Sequence, residues 1–308
     1  VDIAISTTNL TKRYGDVTAV NRLSLSVGRG EIYAFLGLNG AGKTTTIRML
    51  LGMIRPTSGT SEILGNATNA GALHLWSQVG YLVETPHAYP ELTVRENLEI
   101  SRRLHRVTKP RAVDRAIDLF SLGAYANRAA GTLSLGNAQR LGLAKALLHD
   151  PEMLILDEPA NGLDPAGVVE VRELLRDLAR HQGVTVFMSS HILSEVARLA
   201  TRIGIIHQGR LVEELSADEL ELRCGRRLVV DARDREAARS ILVAAGHRVS
   251  VAMDGTLELT AEAAIVHPEE IARLLVREGA PPTRLCVEQE DLESHFLRLV
   301  GSNQGGVN

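Results

Sequence analysis

The stretch that most restricts what this chain can become is Gly37-Leu38-Asn39-Gly40-Ala41-Gly42-Lys43-Thr44. It follows an apolar run, Ile32-Tyr33-Ala34-Phe35-Leu36, and leads into Thr45-Thr46-Ile47-Arg48-Met49-Leu50-Leu51, which reads as a helix. Strand, glycine-rich loop and helix form the context in which GxxxxGK[ST] cradles phosphate. Gly37, Gly40 and Gly42 let the backbone turn tightly, so that successive N–H groups face phosphate oxygens. The helix N-terminus behind them adds roughly half a positive charge. Lys43 reaches the β- and γ-phosphates, and the Thr44 hydroxyl can ligate Mg²⁺. A nucleoside triphosphate site is expected, with contacts running from Gly37 through Leu38, Asn39, Gly40, Ala41, Gly42, Lys43 and Thr44 to Thr45.

The 308 residues are long for one hydrophobic core, and one large domain with a smaller one is the expectation. A charged fraction of 23% and a net charge of −3 give no reason to expect a general nucleic-acid binder. No apolar run approaches the ~18 residues of a membrane span. The opening Val1-Asp2-Ile3-Ala4 has no basic region followed by an apolar one, so no signal peptide is expected. Cys224 and Cys286 stand far apart in no ligand spacing, which fits reduced thiols in the cytosol. The histidines show no metal pattern either.

Along the chain, 3–10 and 19–27 read as antiparallel strands, the second from the alternation of Leu23, Leu25 and Val27 with Arg22, Ser24 and Ser26. Lys12-Arg13-Tyr14-Gly15 lies between them, and Tyr14 is either a packed turn aromatic or a platform for a base. Arg55–Gly59 reads as a turn, 78–83 as a strand ending in Glu84-Thr85-Pro86, and 94–106 and 111–121 as a lateral helical pair. Ser134 in Thr132-Leu133-Ser134-Leu135-Gly136-Asn137-Ala138-Gln139-Arg140 stands where a helix N-cap would, opening the apolar run Leu141–Leu148. Its small residues at a helix N-terminus also suit an anion. Met153–Leu156 is a buried strand by its unbroken apolar run, and Asp157-Glu158-Pro159 places two carboxylates at its C-terminal end. Asn161–Pro165 turns into a helix through ~180. Val184–Met188 is a further strand, closed by Ser189-Ser190-His191, and 203–206 with 210–212 reads as a closing hairpin.

These residues together resemble the nucleotide-binding subunit of an ATP-binding cassette (ABC) transporter, over about residues 3–215. Gly37–Thr44 is similar to the Walker A motif and Leu154–Asp157 to Walker B, with Glu158 as the carboxylate after it. Ser134, Leu135, Gly136 and Asn137 resemble the signature motif, Ala160–Asp164 the D-loop, His191 the switch histidine and Tyr14 the adenine-stacking aromatic. Glu84 stands where the family usually has the Q-loop glutamine, and Leu135-Gly136-Asn137 where it has two glycines and Gln. Those departures resemble the branch serving bacitracin- and lantibiotic-type resistance and other ABC-2-type exporters. The resemblance implies a P-loop α/β domain of mixed sheet plus helical subdomain, ATP and Mg²⁺ as cofactors, and a head-to-tail homodimer around two ATP. Lys43, Thr44 and Asp157 would then face Ser134 and Gly136 of the second copy. Thr44, Asp157 and Glu84 are the implied metal contacts, Glu158 the general base, His191 a γ-phosphate contact and Asp164 a link between sites. It also implies a separate transmembrane permease, coupled through the region around Glu84, at the cytoplasmic face of the membrane.

Beyond 1–216, the residues 217–226 read as a linker, 227–302 as a small α+β domain and 303–308 as a flexible tail. The smaller domain reads as strand 227–231, helix 235–245, strands 248–253 and 257–260 around Asp254-Gly255, helix 268–277, strand 284–288 and helix 291–299. That order is ferredoxin-like, and it resembles the accessory domain that follows the cassette in such exporters. The competing function is a soluble, non-transporting ABC ATPase of translation-factor or repair type. A single Walker A, and no sustained heptads between Lys43 and Asp157, argue against it. A phosphoryl-transfer kinase would give no reason for Ser134-Leu135-Gly136.

Overall fold

The computed structural model describes residues 2–68, 74–84, 86–191, 199–219, 226–252 and 254–289. The chain divides into two compact units, residues 1–217 and 218–308.

In the first unit, β1 (Ile3–Tyr14) and β2 (Val17–Gly28) form a long antiparallel hairpin. The ladder runs to Tyr14↔Val17, so Lys12-Arg13-Tyr14 is strand, and only Gly15-Asp16 turns. Register shifts near Asn9 and Arg22, both at positive φ, break the alternation that would have extended β1 to the eye. Arg55–Gly59, expected as a turn, instead leads into β4 (Ser58–Ile63), which pairs with β1 and with the short β5 (Asn66–Ala67).

The central sheet has the order β10-β9-β3-β8-β7-β6. Its strands are β3 (Ile32–Leu36), β6 (Val79–Leu82), β7 (Met153–Asp157), β8 (Thr185–Ser190), β9 (Arg202–His207) and β10 (Arg210–Ser216). Only β10 runs antiparallel to its neighbour, so the other five end at one edge. Every residue of β3, β7 and β8 is buried, which is why these segments carry no polar alternation. Tyr33 stacks on Phe187 with ring centroids 5.5 Å apart. Helix α1 (Lys43–Leu50) follows β3, and α5 (Pro165–Gln182) follows β7. The lateral helices are α2 (Val94–Leu104), α3 (Ala112–Leu119) and α4 (Leu135–Leu147). Helix α2 starts on a complete capping box, Thr93 with Glu96.

The second unit contains β11 (Arg226–Ala232), α6 (Arg235–Ala244), β12 (Ser250–Val251), β13 (Leu257–Leu259), α7 (Glu262–Val266), α8 (Pro268–Arg277) and β14 (Pro282–Gln289). Its sheet order is β12-β13-β11-β14, all neighbours antiparallel, which is the ferredoxin-like arrangement. Leu228, Val230, Leu242, Leu257, Leu259, Ile271 and Leu275 form its own core. The strand expected over 248–253 is reduced to Ser250–Val251, and the turn of helix α7 was not anticipated. The expected helix 291–299 and the 303–308 tail lie outside the described residues, as does most of the expected linker.

Candidate nucleotide site

The parallel strands deliver their last residues to one edge, and the site grows from that edge. After β3 the chain turns through Gly37–Gly42 into α1. Gly37 and Ala41 are buried, while Leu38, Asn39 and Gly40 face outward. Gly42, at φ 108, is both left-handed and crowded, since a Cβ there would lie 2.5 Å from the Ala19 carbonyl oxygen. Only glycine fits. Helix α1 has no side-chain cap, and its first backbone bond is Thr46 N–H to the Gly42 carbonyl. The N–H groups of Lys43, Thr44 and Thr45 therefore stand at an open helix N-terminus, the geometry that suits phosphate.

Lys43 is only 6% exposed. Its ammonium donates to the carbonyls of Gly37 (2.6 Å) and Leu38 (3.4 Å) and lies 3.4 Å from Glu158 Oε1. Thr44 Oγ1 donates to Asp157 Oδ2 at 2.7 Å. Asp157 is 2% exposed at the end of β7. Hydroxyl and carboxylate together are hard oxygen donors of the kind Mg²⁺ takes, a metal that keeps several of its waters. Glu158 follows at φ 51, a left-handed backbone unusual for a glutamate. Its Oε2 accepts from His191, through the backbone N–H at 3.3 Å and with Nδ1 at 2.7 Å. Lys43, Thr44, Asp157, Glu158 and His191, spread over the sequence, are thus gathered into one cluster.

Other predicted residues lie apart from it. Ser134 caps α4, accepting from Asn137 N–H at 3.3 Å, and Ser134 and Leu135 are exposed. Gly136 packs so closely that a Cβ would sit 2.9 Å from the Gly162 carbonyl oxygen. Asp164 caps α5 through Gly167 N–H at 3.0 Å. Ser134, Leu135, Gly136, Asn137, Gly162 and Asp164 share one open depression that no phosphate-loop residue lines. Tyr14 ends β1 as a residue 49% exposed, and Lys12 Nζ lies 5.1 Å from the ring centroid. Glu84 pairs with Arg48 at 2.6 Å rather than with Asp157 or Thr44.

Two residues that sequence reasoning passed over join the cluster. Ser189 Oγ donates to Asp157 Oδ1 at 2.5 Å and accepts from Glu158 N–H at 3.0 Å. Gln139, 2% exposed within α4, donates to the carbonyls of Glu158 (3.1 Å) and Pro159 (3.0 Å). The available signal was a serine pair ending the strand beside the acidic one, and a polar residue on an otherwise apolar helix face.

The ABC transporter family matches residues 20–161. The chain is 41% identical over 304 residues to the bacitracin transport ATP-binding protein BcrA of Bacillus licheniformis, spanning 98% of this chain and 99% of that one. It is 40% identical over 308 residues to BcrA of Enterococcus faecalis, spanning 100% and 99%. Among solved structures, the dimeric structure of a bacterial ABC transporter cassette aligns with a TM-score of 0.64 at 26% identity, over 69% of this chain and 98% of that chain. The chain therefore belongs to the ABC transporter family, as an ATP-binding subunit that hydrolyses ATP.

Proposed function

We propose that this ATPase drives export of a peptide antibiotic of the bacitracin type through a separate membrane permease, by closing two copies of itself head to tail around two MgATP. The observation that carries the reading is the convergence of Lys43, Thr44, Asp157, Glu158 and His191 beside an uncapped helix N-terminus. The Lys43 ammonium and the first amides of α1 hold the phosphates, and the exposed Tyr14 ring offers a face for adenine. Thr44 and Asp157 would hold Mg²⁺, which neutralises phosphate charge when bound. Glu84 is the remaining candidate oxygen donor. Glu158 takes the proton of the attacking water, and His191 holds its carboxylate in place.

Ser134, Leu135, Gly136 and Asn137 would close the site of the second copy, with Asp164 beside them. Export is supported by the whole-length likeness to bacitracin transport proteins. A non-transporting cassette ATPase has no comparable support. No helix among the described residues is long and apolar enough to cross a membrane. A groove of about 430 Å³ beside Glu84, flanked by the exposed Met53, Tyr81, Tyr89 and Leu104, is the surface proposed to receive it at the cytoplasmic face. Light scattering on a Glu158→Gln protein tests the sandwich. It should become a dimer only with ATP, and a monomer at saturating ATP would overturn the reading.

A further inference from the structure

We propose that Ser189 and Gln139 are positioning residues that hold the Glu158 peptide in its left-handed conformation and so aim the general base. The inference rests on the reading of Glu158 given above.

Position 158 is a point of backbone strain within the site. A non-glycine residue at φ 51 is disfavoured relative to its relaxed conformations, and persists where surrounding groups over-determine it. Both polar groups of the Glu158 backbone are held from outside its own strand. Its N–H donates to Ser189 Oγ on β8, and its carbonyl accepts from Gln139 Nε2 on α4 and from Asn161 N–H at 3.0 Å. Backbone angles decide where the side chain leaves the chain. If the peptide relaxed to an extended conformation, the carboxylate would turn away from Lys43 and His191.

Ser189 does more than fill a hydrogen bond. It is wholly buried, and the β7–β8 register sets it directly opposite Asp157. Its one proton goes to Asp157 Oδ1, while its lone pair takes Glu158 N–H. A single hydroxyl thus ties the candidate metal carboxylate to the candidate base, leaving Asp157 Oδ2 on the Thr44 side. Gln139 ties the same peptide to the helix that begins at Ser134, so the two clamps approach Glu158 from the sheet and from the lateral helices.

Misplacement of a reacting group by about 1 Å costs about 100-fold in rate, and partial release should cost less. Ser189→Ala should therefore lower kcat roughly 10–50-fold while ATP affinity changes less than about threefold. Ser189→Thr, which keeps the hydroxyl, should recover most of the loss. Placed on Glu158→Gln, Ser189→Ala should add less than about a threefold further loss, because it acts through the group already removed.

The decisive set is single-turnover hydrolysis, ATP titration and thermal unfolding of these variants. A folded Ser189→Ala protein turning over within about twofold of wild type, beside an inactive Glu158→Gln, overturns the positioning role alone. An undiminished Ser189→Ala loss on Glu158→Gln also overturns it. A Glu158→Gln protein with wild-type turnover overturns the reading of Glu158, and this inference with it. If Ser189→Ala does not fold, Gln139→Met decides: unchanged kcat overturns the proposal, and a roughly tenfold fall with intact ATP binding supports it.

Discussion

Two of the chain's sheets, the six-stranded sheet of the cassette and the sheet of the second unit, use similar residues to different ends. In the cassette, β3, β7 and β8 run parallel, so Leu36, Asp157 and Ser190 all end at one edge. In the second unit every neighbour is antiparallel, so strand ends alternate between two edges. Its acids are spent on local pairs instead. Asp231 binds Arg235 at 2.7 Å, which holds its carboxyl below the usual range, and Glu258 lies 2.9 Å from Arg227. Parallel pairing brings the C-terminal ends of several strands to one edge, where α/β sheets present ligands.

The difference can be broken by substitution, and the largest effect should be at the parallel edge. Glu158→Gln should cut turnover roughly 10²–10⁴-fold while sparing ATP binding. Steady-state hydrolysis beside ATP titration measures both, and wild-type turnover would remove the base from the site. In the antiparallel unit, Leu242 is fully buried, and Leu242→Ala should destabilise that unit by about 2–5 kcal/mol. Calorimetry should show its transition lowered, with ATP affinity unchanged. A loss of affinity beyond about threefold would mean the units are not separate in energy.

Returning to the edge, Lys43→Ala removes charge-assisted hydrogen bonds worth about 1.5–3 kcal/mol. ATP binding should weaken roughly 10–100-fold, hydrolysis should fall with it, and the ATP-dependent dimer should be lost. Retained affinity by titration calorimetry would exclude Lys43 as a phosphate contact. The smallest effect should come from Glu84→Gln. Its pair with Arg48 is half-exposed, so stability should change by less than about 1 kcal/mol. A changed Mg²⁺/Mn²⁺ dependence of turnover is the expected signature, and an identical profile would place Glu84 outside the metal shell.

Much of this was legible residue by residue. The buried strands β3, β7 and β8 announced themselves as unbroken apolar runs, because a strand covered on both faces has no reason to alternate. Helix α8 was read with its bounds intact, since Pro268 pre-sets its first turn. Bulged segments were harder. Strand β1 was read four residues short, because local left-handed residues interrupt its period while leaving its pairing intact. Strand β4 was missed because Ser58-Gly59-Thr60-Ser61 has turn composition, and only pairing with β1 makes it extended.

The same division runs through the site. By itself the sequence determined the phosphate loop, the acidic pair after β7 and the buried strands β3, β7 and β8, since each rests on short-range spacing and apolar pattern. Tertiary structure alone decided that Ser189 would meet Asp157, that Gln139 would reach the Glu158 carbonyl, and that Lys43 would lie beside Glu158. Sheet register set the first, and helix packing and the left-handed turn at Glu158 set the others. Those contacts join residues 32, 19 and 115 positions apart, and no local period of a chain encodes a distance across a fold.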